Sequence, residues 1–238
     1  PTPVPAPVPT LSPTPVQIRH APPYTVAIDA GHGGPYYFGA AHSFPDGSHL
    51  IEKDLNLDIA LRLEALLKGA GYSTVLTRRG DDTLTAFDPA QYRASQRAEL
   101  QARVDLVNAA AADILVSVHF NGSDDPGQGG TEVYYNPDRS FGPASYALAS
   151  SVHDALLAAI RGVGYEPRDR GVRNDAEVGG DPAQPHSFLL GTDEGFRASL
   201  MPGIIGEALF VSNEAEAALL MRDEARQAIA AGYKSGID

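Results

Sequence analysis

Two histidines stand at the ends of apolar segments, where their side chains could bind a metal ion. His32 follows "VAID" within "TVAIDAGHGG", and His119 follows "DILVSV". Both segments are typical of buried β-strands, and the carboxyl ends of parallel strands meet at one edge of an α/β sheet. Glu52, in "LIEKDLNL", precedes a predicted helix and adds an oxygen donor. Two imidazoles and a carboxylate match the open donor set of a catalytic zinc site, with a fourth position left for water or substrate.

Each of these residues also has a structural interpretation. A single histidine at a strand end is more often structural than a ligand, and an acid such as Glu52 is favourable at a helix N-terminus. The glycines next to the first histidine, Gly31, Gly33 and Gly34, favour metal binding. They let the backbone turn sharply off the strand and leave space above the imidazole ring.

Glu207 is a carboxylate within the apolar segment "GIIGEALF". A buried carboxylate without a partner is strongly unfavourable, so it needs a cation, a hydrogen bond or a proton. Beside a metal-activated water it would serve as a general base. The alternative interpretation is a core acid whose hydrogen bonds are satisfied within the fold.

The elements that must position these residues alternate between strands and helices. Strands are predicted over 24–29, 72–78, 113–120, 130–136 and 203–212, and helices over 54–71, 93–112, 145–162 and 213–233. This alternation predicts one α/β domain over residues 24–238, with a mostly parallel or mixed central sheet flanked by helices on both faces.

Residues 1–23 read differently from the rest of the chain. Nine of the 19 prolines lie in "PTPVPAPVPTLSPTPVQIRHAPP". Proline alternating with small residues favours extended polyproline II, so this segment is predicted to be a disordered linker. The segment lacks the positively charged residues followed by an apolar stretch that are typical of a signal peptide. If the protein is exported, the signal peptide is therefore expected to have been removed.

Composition excludes several classes of function. The formal net charge of −12 argues against nucleic acid as a partner, because phosphate binding relies on clustered Lys and Arg. The chain lacks cysteine, so a metal site must use His, Asp or Glu. No run approaches the length of apolar residues needed to span a membrane.

Six segments in order resemble one family. They are "VAIDAGHGG", "EKDLNLDIALRLEALLKGAGYSTVLTR", "NAAAADILVSVHFNG", "GTEVYY", "DRGVR" and "MPGIIGEALFVSNEAEAALL". Together they are similar to the zinc-dependent N-acetylmuramoyl-L-alanine amidases of the amidase-3 type, which are bacterial cell-wall hydrolases. The resemblance covers nearly all of residues 24–238 and implies a central mixed sheet flanked by helices.

The resemblance implies a role for each candidate residue. His32, Glu52 and His119 would bind Zn²⁺, and Glu207 would be the catalytic glutamate. The implied reaction is hydrolysis of the amide between the lactyl group of N-acetylmuramic acid and L-alanine in peptidoglycan. A zinc peptidase that cuts within the stem peptide is the alternative, because it needs the same residues.

Three more residues are candidates for substrate binding: Asn121, Arg170 and Arg173. Either arginine could meet a stem-peptide carboxylate or form a salt bridge within the fold. The resemblance further implies peptidoglycan as partner, a monomer, and export to the periplasm or to the cell wall and extracellular space. An activator or an anchoring domain joined through the N-terminal linker is a further expectation.

The spacing of the first histidine and glutamate departs from the family pattern. These two residues are usually closer, and the additional residues fall in "PYYFGAAHSFPDGSHL". A longer loop is therefore expected to rim the site. It carries His42 and His49, which could compete as ligands or touch substrate, and His186 in a later loop could help to hold substrate.

Overall fold

The computed structural model describes residues 23–177, 186–192 and 195–238. All but the last residue of the predicted linker therefore lies outside the described part. The described residues contain no helix that is both long and apolar enough to span a membrane.

Eight strands lie in the described chain. They are β1 (Thr25–Ala30), β2 (Ala41–Ser43), β3 (His49–Ile51), β4 (Ser73–Leu76), β5 (Ile114–Asn121), β6 (Thr131–Tyr135), β7 (Asp169–Asn174) and β8 (Gly203–Phe210). The five strands predicted from apolar patterning are β1, β4, β5, β6 and β8. Prediction missed β2, β3 and β7, because β2 and β3 are very short and β7 is rich in charged residues.

Five α-helices connect and cover the strands. They are α1 (Glu52–Gly69), α2 (Tyr92–Ala109), α3 (Gly142–Gly162), α4 (Glu214–Leu220) and α5 (Asp223–Ile237). The single closing helix predicted over 213–233 is wrong, because the chain breaks there into α4 and α5. Arg222 adopts an extended conformation, with φ −81° and ψ 128°, and Asp223 then begins a second helix. Acidic residues favour such a helix start.

The main sheet is mixed, as predicted. Its strand order is β4-β1-β5-β8-β6-β7. The strands β4, β1, β5 and β8 run parallel, whereas β6 pairs antiparallel with β8, and β7 pairs parallel with β6. The carboxyl ends of four strands therefore share an edge with the beginnings of β6 and β7. The short strands β2 and β3 form a separate hairpin in the long loop after β1.

Helices pack on both faces of the sheet. Ile28 of β1 packs in the main hydrophobic core with Leu63 of α1 and Leu156 of α3, and α5 packs against both helices. Ala27, the neighbouring residue on β1, packs on the opposite face with Val107 of α2. Alternate residues of a strand point to opposite faces, so the sheet is buried from both sides.

Candidate metal centre and active site

The three predicted metal ligands meet at the carboxyl edge of the parallel strands. His32 lies just beyond β1, His119 lies near the end of β5, and Glu52 is the first residue of α1. β1 and β5 are parallel neighbours that pair up to Ala30 and Val118, so both histidines reach the same edge. One donor atom from each of the three residues lies within 4.8 Å of the other two.

The spacing of the donor atoms fits a tetrahedral metal ion. Glu52 Oε1 lies 3.1 Å from His32 Nε2 and 2.9 Å from His119 Nδ1. Nitrogen and oxygen ligands about 2.0–2.2 Å from a tetrahedral zinc ion would lie roughly 3.3 Å from one another. The two imidazole rings meet edge to face, with centroids 4.9 Å apart. The donor types therefore suit zinc, and the two distances to Glu52 lie close to the spacing of ligands around a single ion.

Hydrogen bonds from the surrounding backbone hold Glu52 in place. The backbone N–H of Ala40 donates to Glu52 Oε2 at 2.7 Å. The Asn56 amide and the backbone N–H of Phe120 reach Oε1 at 3.4 and 3.3 Å. Ala40 belongs to the long loop after β1, so this loop does rim the site, as the sequence predicts, and contacts a ligand directly.

Glycine is required at two positions around the ligands. A Cβ atom at Gly31 would lie 2.2 Å from His119 Nε2. A Cβ atom at Gly39 would lie 2.1 Å from Glu52 Oε2, and Gly39 also has a φ of +70°. The close approach of these glycines gives the imidazole and the carboxylate their room. His32 itself has a left-handed φ of 59°, and Arg103 Nη2 donates to its carbonyl oxygen at 2.6 Å.

The electrostatics of the site favour a cation. Burial opposes protonation of His119, but its hydrogen bond with Glu52 and the charges of Glu207, Glu52 and Asp29 outweigh this and raise its pKa to about 9. Burial likewise opposes ionisation of Glu52, yet the two histidines hold its pKa well below the ordinary value. Several carboxylates thus lie around the two imidazoles, and their negative charge favours a bound cation.

Glu207 lies beside His119 and is not a member of the ligand group. The two residues pair in register on β8 and β5, so their side chains lie on the same face of the sheet. The Oε2 atom of Glu207 is buried and has no hydrogen-bond partner among the described residues. Burial raises the pKa of Glu207 to about 8, the charges of Glu52 and Glu132 add to this, and His119 opposes it. An unpartnered carboxyl next to a metal site can accept and return a proton.

Comparison with known proteins gives the site a family context. Residues 26–238 match a protein family described as N-acetylmuramoyl-L-alanine amidase. The chain belongs to this amidase-3 family. Membership supports hydrolysis of an amide bond in peptidoglycan.

Individual relatives agree with the family assignment. YqiI of Bacillus subtilis (strain 168) is 32% identical over 214 residues, which cover 90% of this chain and 83% of YqiI. The N-acetylmuramoyl-L-alanine amidase LytC of the same organism is 31% identical over 216 residues, which cover 89% of this chain but only 35% of LytC. The CwlD amidase from Clostridioides difficile, solved in complex with the GerS lipoprotein, superimposes with a TM-score of 0.69 at 26% identity. That match covers 90% of this chain and 96% of CwlD.

Another carboxylate of this amidase-3 domain, Glu132, lies next to Glu207 on the neighbouring strand β6. It pairs in register with Glu207 across β6 and β8. Its Oε2 accepts from Arg170 Nε at 2.9 Å and from Arg173 Nη1 at 2.8 Å, and its Oε1 accepts from Asn121 Nδ2 at 2.5 Å. All three candidate substrate-binding residues therefore contact Glu132. The arginines form the salt bridge that was the alternative interpretation, and substrate contact stays a prediction.

Sequence reasoning missed Glu132. The signal was present in "GTEVYY", where a single acid interrupts an apolar strand, as in the Glu207 segment. Its partners could not be recognised, because they come from distant parts of the chain.

The other histidines lie outside the metal group formed by the described residues. His42 packs edge to face against Phe44, with ring centroids 4.6 Å apart. His49 Nδ1 lies 3.0 Å from the Ser43 hydroxyl within the β2–β3 hairpin. His186 lies between two carboxylates, with Nδ1 2.7 Å from Asp175 and Nε2 3.2 Å from Asp138. None of the three reaches the Glu52 carboxylate.

A small cavity opens beside His32 and His119. Its volume is about 90 Å³. The side chains that line it include His32, His119, Tyr37, Gln96, Leu100 and Leu189. It lies on the side of the site covered by α2 and gives an occupant of the metal centre room in that direction.

Proposed function

We propose that this chain is a zinc-dependent amidase that hydrolyses the bond between N-acetylmuramic acid and L-alanine in peptidoglycan. The observation that carries the proposal is the His32–Glu52–His119 group with the unpartnered carboxyl of Glu207 beside it. Membership of the amidase-3 family supports the choice of substrate.

The residues of the chain divide the work between binding and proton transfer. His32, Glu52 and His119 would hold the ion; when bound, zinc supplies a Lewis acid that polarises the scissile carbonyl and lowers the pKa of water. Glu207 takes a proton from the attacking water and delivers it to the leaving amine of L-alanine. Burial raises the pKa of Glu207 above the ordinary carboxyl value, which makes it a stronger base towards the attacking water.

The salt bridges of Glu132 would hold β6 and β7 together beside the catalytic Glu207. The guanidinium groups of Arg170 and Arg173 offset the charge of Glu132. Both arginines are partly exposed, at 18% and 31%. Arg170 Nη1 also donates to Gln128 and Arg173 Nη2 to Glu177, so a stem-peptide carboxylate would have to displace these contacts.

Glu207→Gln tests the assignment of the general base. The glutamine keeps the volume and a hydrogen-bonding group but cannot accept a proton. We expect a folded variant that binds zinc near full stoichiometry and loses roughly 10²–10⁴-fold in rate. Glu52→Gln is the matched control, because weakening a ligand should lower zinc content and rate together. A zinc-loaded Glu207→Gln enzyme with more than about a tenth of the wild-type rate would contradict the assignment.

Mass spectrometry of digested muropeptides separates the amidase from a zinc peptidase. An amidase releases intact stem peptides that begin with L-alanine, together with peptide-free glycan. Products cut between stem-peptide residues would replace this proposal with the peptidase. Zinc content should fall strongly in His32→Ala and in His119→Ala, and full retention in both would remove the metal assignment.

The proposed setting is the cell wall, reached by export. The CwlD structure is a complex with a lipoprotein, and an activator of this chain is an analogous proposal. We also propose that residues 24–238 form a monomeric catalytic domain and that the proline-rich segment before it is a linker. A chain that starts at Pro23 should then keep its melting temperature and its rate on soluble muropeptides, and a fall of many degrees would show that the segment packs on the domain.

A further inference from the structure

An aromatic cluster of Tyr36, Tyr37, Phe87 and Tyr92 lies beside the metal centre and takes no part in the chemistry above. Tyr36 and Tyr37 belong to the long loop after β1, and the other two follow β4. Because β1 and β4 are parallel neighbours, both segments leave the sheet at the edge that carries the site. The cluster therefore stands at one end of the active-site edge.

The geometry of Tyr36 is that of a platform. Its ring stacks on Phe87 with centroids 3.8 Å apart and an interplanar angle of 16°. Phe87 covers one face of the Tyr36 ring, and Tyr36 nevertheless remains 44% exposed. Tyr92, at 46% exposure, meets Phe87 edge to face and extends the open aromatic surface. Stacking fixes the ring orientation in advance, which lowers the entropy lost on binding.

Tyr37 joins this platform to the metal centre. Its ring contacts Phe87 and Tyr92, with centroids 5.6 and 5.8 Å away, and it also lines the cavity that His32 and His119 share. The Tyr37 hydroxyl is buried and has no hydrogen-bond partner among the described residues. A polar group of a ligand that enters the cavity would supply one.

We propose that the aromatic cluster is a saccharide-binding subsite that takes the glycan strand of the substrate. The proposal rests on the function proposed above. The scissile amide is attached through the lactyl group directly to a sugar ring, so a sugar must lie next to the metal centre. The CH-rich face of a pyranose ring matches an exposed aromatic ring, as at Tyr36.

The distribution of charge along the sheet edge orients the substrate. The aromatic cluster follows β1 and β4, whereas Arg170 and Arg173 lie on β7 at the opposite end of the strand order. Stem peptides carry free carboxylates, which suit the arginine end. The N-acetylated sugars, which are uncharged while the lactyl carboxyl is amidated, suit the aromatic end. The scissile bond would then cross the metal centre between the two ends.

Binding of a peptide-free tetrasaccharide of alternating N-acetylglucosamine and N-acetylmuramic acid tests the subsite without catalysis. Titration of the full chain by calorimetry should give an affinity about three- to tenfold weaker in Tyr36→Leu. Leucine keeps an apolar side chain but removes the ring, and Tyr36→Phe should bind as the wild type does. Tyr146→Leu is the matched control, because Tyr146 is 51% exposed and contacts Tyr135, which pairs with Ile204 at the other edge of the sheet.

Three results would overturn the subsite. Tyr36→Leu could bind the tetrasaccharide within about twofold of wild type while its melting temperature is unchanged. The variant could instead lose affinity for the free stem peptide only, which would assign the cluster to the peptide. Sedimentation could show that Tyr36→Leu turns a dimer into a monomer at unchanged glycan affinity, which would make the face a self-association surface. Failure to cleave the amide of muropeptides would reject the proposed function instead, whatever the tetrasaccharide affinity.

Discussion

Replacement of Arg103 by methionine should destabilise the protein strongly and loosen the metal centre. Arg103 lies on α2 at 2% exposure. Its guanidinium group donates to Asp29 Oδ1 and to Glu99 Oε1, both at 3.0 Å, and to the carbonyl oxygens of Ala30 at 2.9 Å and His32 at 2.6 Å. Methionine keeps an unbranched side chain with good helix propensity, so the change removes the interactions without disturbing α2.

The expected loss of stability follows from the interactions that the partner Asp29 keeps in the variant. Asp29 is fully buried, and burial opposes its ionisation, yet the charge of Arg103 and hydrogen bonds from Ser117 and Thr77 keep its pKa below the ordinary value. Those two hydroxyls remain in the variant, at 2.6 and 2.7 Å, but the countercharge is gone. Removing one partner of a buried ion pair costs about 3–5 kcal/mol. At about 2–4 °C per kcal/mol, the melting temperature should fall by roughly 6–20 °C.

Urea unfolding at neutral pH measures this loss, and bound zinc after dialysis measures the effect on the site. Arg93→Met, at an exposed position of the same helix, is the control and should stay within about 0.5 kcal/mol of wild type. Asp29→Asn should cost less in the Arg103→Met background than alone, with a coupling of at least about 1 kcal/mol. A loss below about 1.5 kcal/mol for Arg103→Met, or additive effects in the double variant, would refute this account of the network.

Two further predictions concern the ligand cradle and acid stability. Gly39→Ala should lower zinc affinity and activity, because a Cβ atom there would lie 2.1 Å from Glu52 Oε2 and the residue has a φ of +70°. Gly71→Ala is the control, because it introduces similar backbone strain, at φ +91°, but its Cβ atom would have no other atom within 4 Å. This control variant should keep its metal. Hydrogen bonds and charge from Arg79 lower the pKa of Glu64 to about 2 from 4.5, so Glu64 stabilises the fold above pH 4.5 and this contribution is lost as the pH falls towards 2. Arg79 is 57% exposed, so solvent screening limits the contribution to about 0.2–1 kcal/mol. Chemical denaturation from pH 7 to pH 2 should show the difference between wild type and Glu64→Gln shrinking over that range, and a constant difference would show that the Glu64 charge does not stabilise the fold.

Local sequence patterns were sufficient to predict the fold class and the residues of the candidate metal group. Local patterning was sufficient for β1 and β5, because both strands are short buried runs with a histidine at or just beyond the end. The rule that parallel strands end at one edge then brought His32 and His119 together without any further information. Glu207 was recognised because a carboxylate within an apolar strand is unfavourable unless it has a partner or a catalytic role. These inferences depend only on residues that are close in the sequence or on the rule that parallel strands run in the same direction.

Which charged groups pair, and what surrounds the candidate ligands, could not be predicted from the sequence. Glu132 and Arg170 are 38 residues apart, and they meet because β6 and β7 pair at the edge of the sheet. The aromatic cluster likewise depends on two loops that follow neighbouring strands. Such contacts are set by the packing of distant segments in the chain, and neither composition nor periodicity records which segments become neighbours.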